Sequence, residues 1–360
     1  MATIGSITGP GDGTLPRQEA RDITALRVWL AALAALVVLM VVVGGATRLT
    51  GSGLSITEWQ PIVGTLPPLT DAAWQDAFEK YKAIPQYEKL NKGMSLEAFK
   101  GIFWWEWAHR FLGRLIGAFF LLPFLYFLAR GQVRGPLAWR LGGLFVLGGL
   151  QGALGWFMVK SGLSLRTDVS QYRLAAHLLL ASALFAALLW TALRLPSPGP
   201  QRIRLRTEAR GSALFGWLIV ALTFVQIGAG ALVAGLKAGL AYNTWPLMDG
   251  HLIPSGIALL QPWWENIFEN AATVQFDHRL IAYVLAAFVL WQAARVIRTA
   301  DDEQMRYSAW TLVFAVALQI AFGIATLLLH VPLHLALTHQ AVAMLVLAAA
   351  VWHVHTLTRR

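Results

Sequence analysis

The chain has 360 residues, of which 57% are hydrophobic and only 13% are charged, whereas soluble domains carry about 25% charged residues. It contains no cysteine, which excludes disulfides, thiolate metal sites and iron–sulfur clusters. The net charge of +10 would suggest nucleic acid in a soluble protein. Here its distribution indicates membrane topology instead, and we expect no nucleic-acid partner.

Eight apolar stretches are long enough to cross a bilayer, which takes about 20 residues each. They follow a polar, Gly- and Pro-rich segment at residues 1–26, which we predict to be a flexible tail and not a cleaved signal peptide. The sequence therefore predicts an all-α integral membrane protein with eight transmembrane helices. The predicted spans are residues 27–47, 108–130, 138–160, 172–194, 211–235, 277–299, 308–330 and 334–357.

Basic residues are distributed unevenly between the segments that join these spans. With both termini inside, the inner segments hold 16 Lys and Arg against 7 Asp and Glu, and the outer segments hold 13 against 12. Because cytoplasmic loops are enriched in Lys and Arg, both termini are predicted to be cytoplasmic. Residues 195–210 are a basic inner linker. The longest outer segment is 48–107, in which helical spacing of apolar residues at 71–82 predicts a short helix at the membrane interface.

Four sequence features recur in the same order in the two halves of the chain, which indicates an internal duplication. Each half has four spans, and an even number inserts both halves in the same orientation. We therefore predict two pseudo-symmetric four-helix bundles, residues 27–194 and 211–357. The recurring features are Trp59 and Trp245, His109-Arg110 and His278-Arg279, Leu150-Gln151 and Leu318-Gln319, and His177 and His339.

The recurring histidines His109, His177, His278 and His339 all stand at the outer start of a span. Ionisable groups within spans are costly and rare, so they are functional candidates. In each bundle the two histidines lie on the second and fourth helices, and facing helices of a bundle are a usual place for a cofactor. Two imidazoles on opposite faces of a porphyrin complete a six-coordinate haem iron. Zinc is the rival metal, and the absence of a nearby carboxylate in each bundle disfavours it.

Small residues occupy the position four residues after each histidine, as a flat ring lying against a helix would require. They are Gly113, Ala181, Ala282 and Ala343, and Gly117 continues the stripe. The glycines of the third span are expected to allow close helix packing instead. Those glycines are Gly148, Gly149, Gly152 and Gly155.

The other histidines carry weaker signals. His330 and His334 flank a tight outer turn and are expected to pack at the membrane interface, whereas His251 lies in a loop. His353 and His355 stand at the inner end of the last span, where we expect them to be solvated.

One asymmetry separates the halves. Glu106 precedes His109 by three residues, and the equivalent residue before His278 is Gln275. Residues three apart share a helix face, so we expect Glu106 at the outer surface, directed at the pocket of His109 and able to move a proton. The alternative is an interfacial carboxylate without a catalytic role.

Six basic residues lie near the outer ends of the spans, and two roles are open for them. Some could pair with haem propionates, because Arg binds carboxylates in a bidentate manner. Others could extend their charge to the interface. The six are Arg48, Arg110, Arg114, Arg173, Lys237 and Arg279.

Several of these motifs together resemble those of haem A synthases, over residues 27–357. The resemblance implies oxidation of the methyl group at ring carbon 8 of haem O to a formyl group. It assigns the N-terminal half to substrate haem, at Glu106, His109 and His177, and the C-terminal half to a permanent haem b, at His278 and His339. The motifs are Gly44–Ser55 (GGATRLTGSGLS), Trp59-Gln60-Pro61, Glu106–Arg110 (EWAHR), Phe276–Arg279 (FDHR) and Thr338-His339-Gln340.

The resemblance also bears on partners and location. It is to the cysteine-free branch seen in proteobacteria and mitochondria, and the polar N-terminus favours a bacterial inner membrane over a mitochondrial one. Haem O synthase and cytochrome oxidase assembly factors are candidate partners, an electron acceptor is required, and a homo-oligomer stays open. The alternative functions are a di-haem cytochrome b that transfers electrons and, less favoured, a transporter built from duplicated bundles.

Overall fold

The computed structural model describes residues 17–60, 63–163, 167–196 and 209–359. In these ranges the chain is helical and has no named strand, and eight helices are long and apolar enough to cross a membrane. The protein is thus an all-α, multi-pass membrane protein, as predicted. The membrane-crossing helices are α1 (Arg17–Leu49), α3 (Leu96–Ala129), α4 (Gly135–Lys160), α5 (Gln171–Arg194), α6 (Ala209–Gly235), α8 (Ala271–Thr299), α9 (Glu303–Leu328) and α10 (Leu333–Thr358), while α2 (Asp71–Lys82) and α7 (Asn266–Glu269) are short.

The largest differences between predicted and observed boundaries are at the starts of α1 and α3. The predicted tail 1–26 is too long, because residues 17–26 belong to α1 and residues 1–16 lie outside the described part. Helix α3 begins twelve residues before the predicted span, where the Ser95 side chain accepts a hydrogen bond from the Ala98 amide at 3.2 Å and caps the helix. Most of the predicted linker 195–210 also lies outside the described residues.

The packing of the long helices follows the repeat. Helices α1, α3, α4 and α5 form a ring in which each helix contacts the next, and α6, α8, α9 and α10 form another. Between the two sets, α5 packs against α6, α10 packs against α1, and α5 packs against α10. Since α1 corresponds to α6 and α5 to α10 in the repeat, these contacts are equivalent under exchange of the halves.

The predicted helix at residues 71–82 is confirmed as α2, but its apolar face contacts protein. Trp74, Phe78 and Tyr81 are buried, and they pack against Phe99 and Phe103 on the outer extension of α3. The rings of Phe78 and Phe99 stack with their centroids 5.0 Å apart. The apolar spacing of α2 is therefore explained by a small aromatic core outside the membrane-crossing bundle.

The predicted packing role of the α4 glycines is wrong for three of the four. A Cβ atom added at Gly148, Gly149 or Gly152 would meet no atom of the described chain within 4 Å. These glycines face open space. The fourth, Gly155, contacts a histidine, as described below.

His353 and His355 are also not solvated, contrary to the prediction from their position near the chain end. Their exposed fractions are 1% and 4%. His353 Nδ1 lies 2.9 Å from the Ser308 hydroxyl of α9, and the His355 ring packs edge-on against Trp190 of α5. The inner end of α10 is enclosed by neighbouring helices, which the local sequence does not reveal.

Candidate functional site

Each of the four recurring histidines lies with its ring against a glycine of a neighbouring helix. A Cβ atom on Gly44 of α1 would stand 2.9 Å from His109 Nε2, and one on Gly230 of α6 would stand 3.2 Å from His278 Cε1. On the other side of each bundle, Gly155 of α4 faces His177 at 3.0 Å and Gly323 of α9 faces His339 at 2.9 Å. Real Cβ atoms essentially never approach as closely as at Gly44 and Gly323, and at Gly155 and Gly230 the histidine ring would have to shift slightly to admit one.

The histidines form one pair in each half. His109 and His177 are close enough for their charges to interact, and so are His278 and His339. In the described residues no three His, Asp or Glu side chains come together as a metal site. The arrangement thus offers two imidazole pairs, which suits haem iron better than the zinc alternative.

Three of the four histidines are also held by a glutamine side chain. The Gln151 amide donates to the His177 carbonyl oxygen at 2.9 Å, and the Gln226 amide donates to the His278 carbonyl oxygen at 3.1 Å. The Gln319 amide nitrogen lies 3.4 Å from His339 Nε2. Each glutamine precedes the facing glycine of its own helix by four residues, so amide and glycine share a helix face.

The fourth glutamine position is occupied by Met40. In the repeat, Met40 corresponds to Gln226 and Gly44 to Gly230. The Met40 methyl group would stand 3.1 Å from a Cβ atom on Gly113, one helical turn inward from His109. His109 is therefore seated against a glycine like the others but has a thioether where His278 has an amide.

We call the contacts of the four histidines with Gly44, Gly155, Gly230 and Gly323 the histidine–glycine seats. Buried polar atoms without a hydrogen-bond partner surround these seats. In the described part of the chain, Nδ1 of His177 and Nδ1 of His339 are buried and form no hydrogen bond. The side-chain oxygens of Gln151, Gln226 and Gln319 are in the same condition. Such atoms are rare in native proteins unless a ligand or water completes the site, so the donor set fits two haem groups.

Glu106 is buried, with 2% exposure, so its carboxylate does not face solvent. One carboxylate oxygen accepts hydrogen bonds from the Ser55 hydroxyl at 2.8 Å and the Ile56 amide at 2.7 Å. The other pairs with Arg110 at 2.5 Å. Its visible contacts are thus with the loop after α1 and with its own helix, one turn outward from His109.

Gln275 occupies the equivalent place with the opposite hydrogen-bond polarity. Its amide donates to the carbonyl oxygens of Ala238 and Tyr242, at 3.0 and 3.2 Å, in the loop after α6. Both side chains fasten a loop to the helix that bears a histidine. Only Glu106 brings a negative charge to that position.

Arg110 and Arg279 fasten the same loops in matching ways. Arg110 donates to the carbonyl oxygens of Ile56 and Glu58, at 2.7 and 2.9 Å. Arg279 donates to those of Tyr242 and Thr244, at 3.0 and 2.9 Å. These carbonyls occupy equivalent positions in the repeat. In each His-Arg pair, the histidine ring lies inside the bundle and the arginine guanidinium binds the loop.

The remaining histidines do not join the two pairs. His251, His330 and His334 are exposed, and His251 Nδ1 lies 2.9 Å from the Asp249 carbonyl oxygen. Sequence reasoning overlooked Gln226 and the seats at Gly44, Gly155, Gly230 and Gly323. A usable signal existed, because the spacing Gln-x-x-x-Gly occurs at 151–155, 226–230 and 319–323.

The fold and the site define a class: a multi-pass helical membrane protein with two repeat-related pairs of half-buried histidines. A family model described as cytochrome oxidase assembly protein matches residues 27–351. The chain belongs to this family.

Curated relatives share about half of their residues with the chain over nearly its whole length. A protein named Heme A synthase from Azorhizobium caulinodans is 56% identical, covering 95% of this chain and 96% of its own. One of the same name from Rhodopseudomonas palustris strain BisA53 is 55% identical, covering 95% and 93%. One from Nitrosospira multiformis is 51% identical, covering 96% and 98%. Proteins named Heme A synthase are thus among the relatives that the chain resembles over nearly its whole length.

Proposed function

We propose that the protein is an oxidoreductase that converts haem O to haem A by oxidising the ring methyl group at carbon 8 to a formyl group. The observation that carries this is the set of four histidine–glycine seats, paired within each half. The relatives named Heme A synthase, which align over nearly the full chain, support it. The two halves divide the work between a substrate site and a cofactor site.

The C-terminal pair, His278 and His339, would hold a permanent haem b by binding its iron. Gln226 fixes His278 through its backbone carbonyl and approaches the ring nitrogen Nδ1 at 3.1 Å. A ring that is oriented before the ligand arrives suits a cofactor that stays bound. Haem b supplies one-electron chemistry there, and the protein supplies its binding and orientation.

The N-terminal pair, His109 and His177, receives haem O. Met40 leaves the ring of His109 without the amide that holds His278, which suits a ligand that must enter and leave. The glycine seats keep both rings clear of neighbouring side chains. The site thereby orients the porphyrin so that the methyl group to be oxidised is presented in one position.

Glu106 is the proton-handling group of this half. Conversion of a methyl group to a formyl group breaks C–H bonds and adds an oxygen atom. When the electrons pass to an external acceptor, the hydrogens of the broken bonds leave as protons, and Glu106 is the buried carboxylate one turn from His109. Arg110 and the Ile56 amide hold the carboxylate in place. Gln275 cannot take up a proton, which fits a C-terminal half that binds haem without transforming it.

The enzyme lies in a bacterial inner membrane with both termini in the cytoplasm. The charge asymmetry of the connecting segments supports this orientation. It places all four histidines near the outer face. Haem O synthase and cytochrome oxidase assembly factors are its candidate partners.

Identification of the haems bound to purified protein tests the function. We expect haem b together with haem O or haem A in wild-type protein, and haem b alone in the His109→Ala variant. Extraction and chromatography distinguish the three haems by the tail and the formyl group. Haem b alone in two equivalents in wild-type protein would favour the electron-transfer cytochrome instead.

A further inference from the structure

Five of the six basic side chains near the outer ends are bound to groups of the protein. Arg110, Arg114 and Arg279 donate to loop carbonyl oxygens, and Arg173 donates to the Phe157 carbonyl oxygen. Lys237 forms an ion pair with Asp168 at 3.0 Å. These five have a structural role that explains their charge.

Arg48 differs from the other five. In the described part of the chain its guanidinium forms no hydrogen bond and no ion pair within 4 Å, although the side chain is half-buried. The acidic group that acts on it is Asp168, which already pairs with Lys237. Because no group of the described residues binds the guanidinium, its position requires another explanation.

The position of Arg48 on α1 supplies one. It lies one helical turn outward from Gly44, the residue that seats His109, and residues four apart share a helix face. Thr47 is turned toward α3, where it donates to the Trp105 carbonyl oxygen at 3.1 Å, and Gly45 meets Gln340 of α10. The face of Gly44 and Arg48 is therefore the one that the N-terminal site uses, with Arg48 at its outer rim.

The C-terminal half has no equivalent charge. The residue that corresponds to Arg48 in the repeat is Ala234, four residues after Gly230. The seat of the histidine is kept while the cation is lost. A group that serves only the first site, and not haem binding in general, would show this pattern.

We propose that Arg48 binds a carboxylate of the substrate porphyrin at the outer rim of the N-terminal site. This rests on the proposed function, which places haem O there. Porphyrins of this class carry propionate groups, and arginine binds carboxylates with two parallel hydrogen bonds. The contact would fix the rotation of the ring about the histidine–iron axis, and so which methyl group is oxidised. Arg48 is thus a positioning residue that selects the carboxylate-bearing edge.

The test compares haem O with its dimethyl ester, in which the propionates carry no charge. The proteins are purified from cells unable to make haem O, so that haem b is present and the N-terminal site is free. Absorbance titration then gives a dissociation constant for each porphyrin. We expect wild-type protein to bind haem O about 10- to 100-fold more tightly than the ester, as loss of a charged hydrogen bond predicts.

The Arg48→Leu variant should bind haem O as weakly as the ester and lose the preference between them. The Arg48→Lys variant, which keeps the charge without the planar fork, should retain part of it. Lys92→Leu is the control, because it removes a positive charge from the exposed outer loop and should leave the preference unchanged.

Two results would overturn the inference: an equal affinity of wild-type protein for haem O and its ester, or an unchanged preference in Arg48→Leu. Loss of haem b from Arg48→Leu would also overturn it, by showing a structural role for the whole bundle. Failure of wild-type protein to bind either porphyrin at the N-terminal site contradicts the proposed function itself, which separates the two failures.

Discussion

The two halves of the molecule seat their histidines alike and differ in what surrounds the seats. All four rings lie against glycines at equivalent positions, and the arginines of both His-Arg pairs bind the loop after α1 or α6 in the same way. Three differences near the histidines bear on function: Met40 against Gln226, Glu106 against Gln275, and Arg48 against Ala234. The shared features are those that any pair of haem ligands needs. The differing features fit the proposed division between an N-terminal site that exchanges substrate haem and a C-terminal site that retains haem b.

The halves also differ in how closely α4 and its counterpart α9 pack against their neighbours. Gly148 and Gly152 of α4 face open space, whereas the corresponding residues of α9 are Val316 and Ile320, and Val316 is buried. Helix α9 is therefore packed more closely into its bundle than α4. Glycine substitutions on α4 consequently provide controls for those at the seats.

Removal of an axial histidine should give the largest effect. We expect His278→Ala to lose the low-spin, bis-histidine absorbance spectrum of haem b completely, because one axial position is left open. His109→Ala should keep that spectrum and lose haem O binding. His251→Ala, in an exposed loop, is the control. An unchanged haem b spectrum in His278→Ala would refute the ligand assignment.

Removal of the Glu106 carboxylate should have the next largest effect. Glu106→Gln gives both halves a glutamine at this position. It should lower formyl production about 100-fold or more, the usual contribution of a positioned acid–base group. Haem b should remain. Because the new amide would face the Ile56 amide donor, the free energy of unfolding should also fall by about 1–3 kcal/mol. Product chromatography and thermal unfolding measure the two effects separately.

Ser55→Ala is the matched control for Glu106. It removes one hydrogen bond to the same carboxylate at 2.8 Å and keeps the carboxylate itself. We expect near-normal formyl production from it. Equal losses in Ser55→Ala and Glu106→Gln would show that Glu106 acts by anchoring the loop, not by moving a proton.

The glycine seats should show intermediate effects that differ between the halves. Gly323→Ala places a Cβ atom 2.9 Å from the His339 ring, so the ring must move, at a cost of about 1–3 kcal/mol. The haem b absorbance bands should shift or weaken. Gly44→Ala should leave them unchanged and weaken haem O binding.

Gly148→Ala on the open face of α4 is the control for both seats. Nothing lies within 4 Å of its added Cβ atom, so stability should be unchanged or raised by up to about 1 kcal/mol, as for Gly→Ala in a helix. Similar spectra for Gly323→Ala and Gly148→Ala would contradict the claim that a glycine at 323 is needed to accommodate the His339 ring.

Single substitutions at Gln226 and Met40, each to the residue of the other half, should have the smallest effect. Gln226→Met removes one neutral hydrogen bond, worth about 0.5–1.5 kcal/mol, so haem b should dissociate roughly two- to tenfold faster. Transfer of haem b to apomyoglobin measures this rate. Met40→Gln should leave the rate unchanged and slow the release of haem O. A faster loss of haem b from Met40→Gln would show that the halves are not independent.

The sequence by itself determined the number of crossing helices, the repeat and the four histidines. Hydropathy and helical periodicity are local properties, so the interval of α2 could be predicted to the residue. The start of α3 could not, because residues 96–107 are less apolar than a span, and the helix continues there through packing against α2.

Tertiary structure decided which faces meet. Glu106 contacts Ser55, fifty-one residues away, and His353 is enclosed by α9 despite its place near the chain end. The glycine seats and Gln226 likewise acquire meaning only from the helix opposite them. Spacing along one helix specifies the face a side chain occupies. The partner of that face depends on how distant helices pack, and no local pattern encodes it.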